Sequence, residues 1–289
     1  MKTYKSSLRL LAVALAFMLV TAAAAAPKLT FKFTTIDVKG ASQTQIFGIA
    51  NSGATVGDYI DSSGVTHGLL QVGKKTTNID NPNATSGTFC YNMNSSGAIV
   101  GYYLGSSGAP QGFLYKKGKF TNVGPSGNGS YALGINTKGD ITGFYLDSSS
   151  VEHGFVLKGK KYTTLDVPGA TASGAWGINA KGLISMFWID SAGVYEGAIY
   201  NGKKYTTIDV PGASQSIPHS INSAGDVAFS WLDSSSIYHG ALLKGGKYYK
   251  FDDPKASNYT RPAGINDHNT IVGFFEATAG VNQGFKATY

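Results

Sequence analysis

Three histidines, His67, His153 and His239, recur 86 residues apart at one point of a repeated pattern. Three converging imidazoles can hold zinc. Carried on separate repeats around a ring, these lie too far apart to share an ion, and each reads as a hydrogen-bond partner of a neighbouring turn. Turns of the Asp61-Ser62-Ser63-Gly64 type recur at Asp147, Asp190 and Asp233. Their oxygens suit calcium, but they lack the D-x-D-x-D-G density of a calcium loop, and Asp and Ser are ordinary turn formers. No metal or other cofactor is expected. Acids such as Asp209 and Asp252 could cleave a glycosidic bond if two of them stood about 5 Å apart; spacing alone does not place them so. G-x-S-x-G, P-loop and H-E-x-x-H patterns are absent, and the lone Cys90 cannot form an internal disulfide.

On a repeated scaffold, binding must come from positions where the copies differ. The residue three before a recurrent Asn reads Phe47, Tyr91, Leu133, Trp176, His219 and Ala263. Two positions earlier stand Gln45, Phe89, Tyr131, Gly174, Ile217 and Arg261. Tyr91, Tyr131, Trp176, His219 and Arg261 form the candidate ligand-binding set, an uneven wall of aromatic and hydrogen-bonding groups suited to a sugar or peptide.

The elements that carry these residues follow from a unit read six times: Y-T-T-I-D-V-P-G, a short variable stretch, G-I-N-x-x-G, an apolar run ending in D-S-S-x, and H-G-F-L-x-x-G-K. The turn residue after G-I-N falls at Gly53, Gly97, Gly139, Gly182, Gly225 and Asn269, and a glycine follows each at a fixed offset of 15. Tyr, Thr, Ile and Val favour pleated sheet, and the linking segments carry turn chemistry. Each unit therefore reads as four short strands, the size of a propeller blade. The recurrent Asn (Asn94, Asn136, Asn179, Asn222, Asn266; Ala50 in the first copy) reads as a turn residue bonding its own backbone.

The ends favour a closed ring. A lone fourth-type strand, Phe31–Val38, precedes the first unit, and the sixth unit stops after its third strand at Gly284–Tyr289. Pairing the two removes an exposed edge. The expected fold is all-β: a six-bladed β-propeller of four-stranded blades, with the N-terminal strand closing the last blade. An open β-solenoid is the alternative. Composition agrees, with 38 glycines in 289 residues and only 14% charged side chains, against averages of roughly 7% and 25%.

Residues 1–25 read as a secretory signal peptide: Lys2, Lys5 and Arg9, then the apolar Leu10–Val20, then small residues up to Ala26. The apolar run is too short for a membrane span. The rest, 26–289, reads as one propeller domain, exported to the periplasm or the medium. Its removal of three basic side chains and no acid lowers the formal charge from +7 to +4, a weak basis for binding nucleic acid.

G-I-N-x-x-G followed by H-x-F resembles the HAF family of bacterial extracellular repeats, named for a His-Ala-Phe triplet. The resemblance covers 33–289. Here the third copy reads His153-Gly154-Phe155, with Gly for Ala, and Gln111, Glu196 and Gln283 replace His in three copies. The resemblance implies an extracellular or periplasmic repeat protein and brings no catalytic residues.

Strand alternation puts the turns after strands two and four on one face, with Asp61, Asp147, Asp190, Asp233, Asp37, Asp80, Asp166, Asp209 and Asp252. The opposite face receives lysines such as Lys74, Lys117, Lys160, Lys203 and Lys247. The lysine-rich face could meet an anionic cell-surface polymer; lysines also simply keep hairpins soluble. The sequence points to an exported, non-catalytic propeller that binds a glycan, peptide or protein. A secreted hydrolase or lyase acting at the channel mouth, or a purely structural surface protein, are the alternatives.

Overall fold

The computed structural model describes residues 29–125 and 127–289. The expected signal peptide, 1–25, lies outside the described residues. Every regular element among the described residues is a strand, and the strands form six antiparallel four-stranded sheets. Blade 1 comprises Gln43–Ile49, Thr55–Ile60, Thr66–Val72 and Lys75–Asn78, and blades 2 to 5 repeat that order. Blade 6 has Thr260–Ile265, Thr270–Thr278 and Val281–Thr288, and takes its fourth strand, Lys32–Ile36, from the start of the described chain. The first strands of neighbouring blades contact one another all the way round, so they line the axis. The ring is a closed six-bladed propeller, as the complementary ends require.

Local chemistry explains each element. The six turn residues after the inner strands all take positive φ, from 77° to 94° for the five glycines and 54° for Asn269. This left-handed conformation is why Gly, or failing that Asn, recurs there. The recurrent Asn caps the same turn: Asn94 Oδ1 accepts from Ser96 and Ala98 N–H, each at 3.1 Å. It also does something the repeat pattern did not reveal. Asn94, Asn136, Asn179 and Asn222 each donate Nδ2 to the carbonyl of the equivalent Asn one blade on, and Asn266 donates to Ala50 O. The circle of bonds breaks only where Ala50 has no donor.

A second circle sits at the other end of the inner strands. Thr44, Thr88, Ser130, Ser173, Ser216 and Thr260 are all buried. In five of the six junctions the hydroxyl accepts from the backbone leaving the previous blade's outer strand, as in Val210 N to Ser216 Oγ at 2.9 Å. Ser130 serves the sixth by donating to Val123 O at 2.9 Å and accepting from Gly112 N. The core of each blade is set by one cross-strand pair: Gly57/Leu69, Gly101/Phe113, Gly143/Phe155, Met186/Ala198, Phe229/Ala241 and Gly273/Phe285. One partner is large and the other small in every blade.

Candidate ligand-binding site

Each inner strand carries one β-bulge, and the extra residue is Phe47, Tyr91, Leu133, Trp176, His219 or Ala263. These are the six variable positions singled out in the sequence. A bulge unpairs one residue and re-aims its side chain. Here it frees the most variable residue of each repeat beside the axis. The residue after it is Gly in four blades because the neighbouring blade comes close: a Cβ on Gly48 would lie 2.7 Å from Tyr91 O, and one on Gly264 2.7 Å from Phe47 O.

A cavity of about 250 Å³ opens on the axis. Four of the five expected site residues, Tyr91, Trp176, His219 and Arg261, line it together with Gln45, Phe47, Tyr259, Pro262, Ala263 and Phe274. Tyr131 does not. Tyr91 and Trp176, from blades 2 and 4, approach with ring centroids 6.0 Å apart and divide the channel mouth. On the far side Tyr131 stacks on Phe144 at 4.4 Å and meets Tyr102 edge-on at 4.7 Å. The expected five-membered wall is thus a four-residue wall with Tyr131 behind a partition.

The wall is aromatic. Phe47 stacks on Tyr91 at 4.4 Å, and Trp176 meets His219 edge-on at 4.4 Å. Its polar groups are unusual in lacking partners. Trp176 Nε1, His219 Nδ1 and Arg261 Nε are buried with no hydrogen-bond partner in the protein. Buried polar groups are nearly always paired, and each orphan costs about 1–3 kcal/mol. All three belong to residues that line the cavity. His219 Nε2 lies 3.0 Å from Ser230 Oγ. Burial, reinforced by the charge of Arg261, holds His219 well below the usual imidazole range, so it is neutral. The Arg261 guanidinium lies over the Tyr238 ring at 4.6 Å and 5.7 Å from that of Phe274.

Sequence reading missed Asp58. It pairs across the sheet with Gln45, is buried, and its Oδ2 has no partner. Burial pushes its carboxyl up to about 8. A signal was present: at this register the other copies read Tyr102, Phe144, Phe187, Ser230 and Phe274, and an acid among them stands out once the register is known.

The three histidines do meet neighbouring turns. His67 Nδ1 lies 2.9 Å from Asp80 and Nε2 3.4 Å from Asp61; His153 and His239 repeat this with Asp166/Asp147 and Asp252/Asp233. The D-S-S turns are Asx-capped, with Asp61 Oδ1 accepting from Ser63 and Val65 N–H at 2.8 and 2.9 Å. Of the two acids considered for catalysis, Asp209 is held by Gly197 N at 3.0 Å and Asp252 by His239 at 2.8 Å. Neither lines the axial cavity.

No protein-family profile and no curated protein matches the chain. Solved structures do. The fucose-specific lectin from Aleuria aurantia is 17% identical, with 88% of this chain and 93% of that one covered and a TM-score of 0.55. AofleA from Arthrobotrys oligospora is 14% identical, covering 90% and 87%, at 0.56. A candidate TolB from Agrobacterium tumefaciens is 15% identical, covering 86% and 91%, at 0.60. At these identities the likeness is one of fold.

Proposed function

We propose that this protein is an exported, non-catalytic propeller that binds a saccharide in the axial cavity. The observation that carries the reading is the cavity wall itself: aromatic faces from Phe47, Tyr91 and Trp176 beside three nitrogen groups without protein partners. Apolar faces with a few convergent polar groups are what small-molecule sites use, and a sugar ring presents both an apolar face and hydroxyls. At about 250 Å³ the cavity falls just under the ~300–1,000 Å³ of drug-sized sites, which suits one sugar residue. Solved complexes of the Aleuria aurantia lectin, which shares the fold, hold fucosides, and this lends further support. Export rests on the three zones of residues 1–26.

The test is calorimetric titration with a saccharide panel that includes fucose. A binding saccharide should stabilise the protein by about 2.7 kcal/mol at a hundredfold excess over Kd. Trp176→Phe keeps a ring and loses the N–H, so it should weaken that binding by about five- to tenfold. Full affinity in Trp176→Phe would place the sugar elsewhere, and silence across the panel would defeat the reading.

A further inference from the structure

The character of the orphaned groups narrows the ligand further. Arg261 is the only arginine in 29–289. It is partly buried in the cavity wall, and no carboxylate lies within ion-pair distance of it among the described residues. A desolvated cation without a counter-ion is costly, and its position over Tyr238 offsets only part of that cost. The nearby groups do not supply an anion. His219 is neutral, the Tyr259 hydroxyl is spent on Asn282 Oδ1 at 2.6 Å, and burial keeps Asp58 protonated at neutral pH.

The remaining free groups lean the same way. Trp176 Nε1 can only donate, Arg261 can only donate, and His219 Nδ1 donates when Ser230 bonds Nε2 as a donor. A neutral sugar hydroxyl both donates and accepts, and the side-chain acceptors of this wall are Gln45 and the hydroxyls of Tyr91 and Tyr259. A carboxylate only accepts, and its two oxygens match the guanidinium fork.

Resting on the saccharide reading above, we propose that the bound sugar is acidic: a uronic-acid residue whose carboxylate is forked by Arg261 and whose ring lies against Trp176 and Tyr91.

The experiment is calorimetric titration of the protein with glucuronate and galacturonate, with glucose and galactose as their neutral parents, and with acetate and a dipeptide as other carboxylates. A charge-assisted fork should make a uronate bind about 10- to 100-fold tighter than its parent. Arg261→Gln should abolish that discrimination, so that a uronate and its neutral parent bind alike, with unfolding temperature as the check on folding. Should Arg261→Gln fail to fold, the preference of the wild-type protein decides alone. Parents binding as tightly as uronates would overturn the acidic ligand and leave the saccharide reading intact. Acetate or dipeptide matching the uronates would overturn the sugar ring as the recognised element. No binding by any of the sugars would overturn both readings together.

Discussion

Asp58 and Glu196 are carboxyl groups that the fold pushes well up, and burial comes first among the causes in both. Asp58 is buried, and burial pushes its carboxyl from the ordinary 3.8 up to about 8. A raised carboxyl destabilises the folded state progressively as pH climbs from the unfolded value toward the folded one. Asp58→Asn should therefore change little at pH 4 and raise stability at pH 8 by roughly 2 kcal/mol or more, read as urea unfolding at the two pH values. Glu196 stands where blades 1, 3 and 5 carry His. Partial burial first, then the hydrogen bond and charge of Asp209 and the charge of Asp190, raise it from 4.5 to about 7. Its cost likewise appears between those limits. Glu196→Gln should raise the unfolding temperature by about 1–2 °C at pH 8 and not at pH 4; an equal gain at both pH values would show that charge is not the cause. His67 and His153 run the other way. Burial alone would lower His67, but Asp80 and Asp61 outweigh it and hold it above the usual range, so its contribution is full in acid and fades as pH rises through that raised value.

Strands, turns and bulges differ in how far the residues announce them. The six left-handed turn residues and the spare N-terminal strand were legible because a rigid spacing repeats six times and only certain residues tolerate positive φ. The bulges were not. A bulge is a mismatch between two strands, and register exists only after pairing, so the sequence did not show that Trp176 lines the cavity while Tyr131 packs behind it. The paired core positions were hidden for the same reason. Phe229 faces Ala241 in blade 5, while Gly101 faces Phe113 in blade 2, and the compensation shows only once partners are known. It yields a prediction at this scale. Phe229→Gly alone leaves a cavity and should cost about 3–5 kcal/mol. Ala241→Phe alone overfills a site where both residues are fully buried and should cost about 1–3 kcal/mol. Made together, they rebuild the Gly/Phe arrangement of blades 2, 3 and 6 and should recover most of the loss. Losses that simply add in denaturant unfolding would show that the blades do not share one packing solution.

At the scale of the whole molecule, stability depends on the ring being closed. Five blades are formed by consecutive chain, and each could close on its own strands. Blade 6 cannot. Its outer strand Lys32–Ile36 pairs with Val281–Thr288 in the register Lys32↔Thr288 to Ile36↔Gly284. Phe31 and Phe33 from this segment reach both blade 5, at Phe251 with centroids 4.4 and 6.1 Å away, and blade 6, at Phe285 5.6 Å from Phe33. The segment therefore ties two blades and joins the two ends of the chain. Removing it would expose a strand edge of blade 6 together with the apolar faces it covers, and unpaired edges recruit other chains. A protein truncated to begin at residue 37 should unfold at a temperature lower by about 10 °C or more, since loss of several kcal/mol shifts a domain of this size by about 2–4 °C for each, and should elute as dimers or larger species. A synthetic peptide spanning 29–38 should restore both the unfolding temperature and the monomeric elution volume, because it can dock as the missing strand. A truncated protein that stays monomeric and equally stable would mean that the inner circles of Asn and Ser/Thr hydrogen bonds suffice to hold the ring. Axial binding would then be expected to survive the loss of the closing strand, because Phe47 and Arg261 sit on adjacent inner strands and not on the outer one.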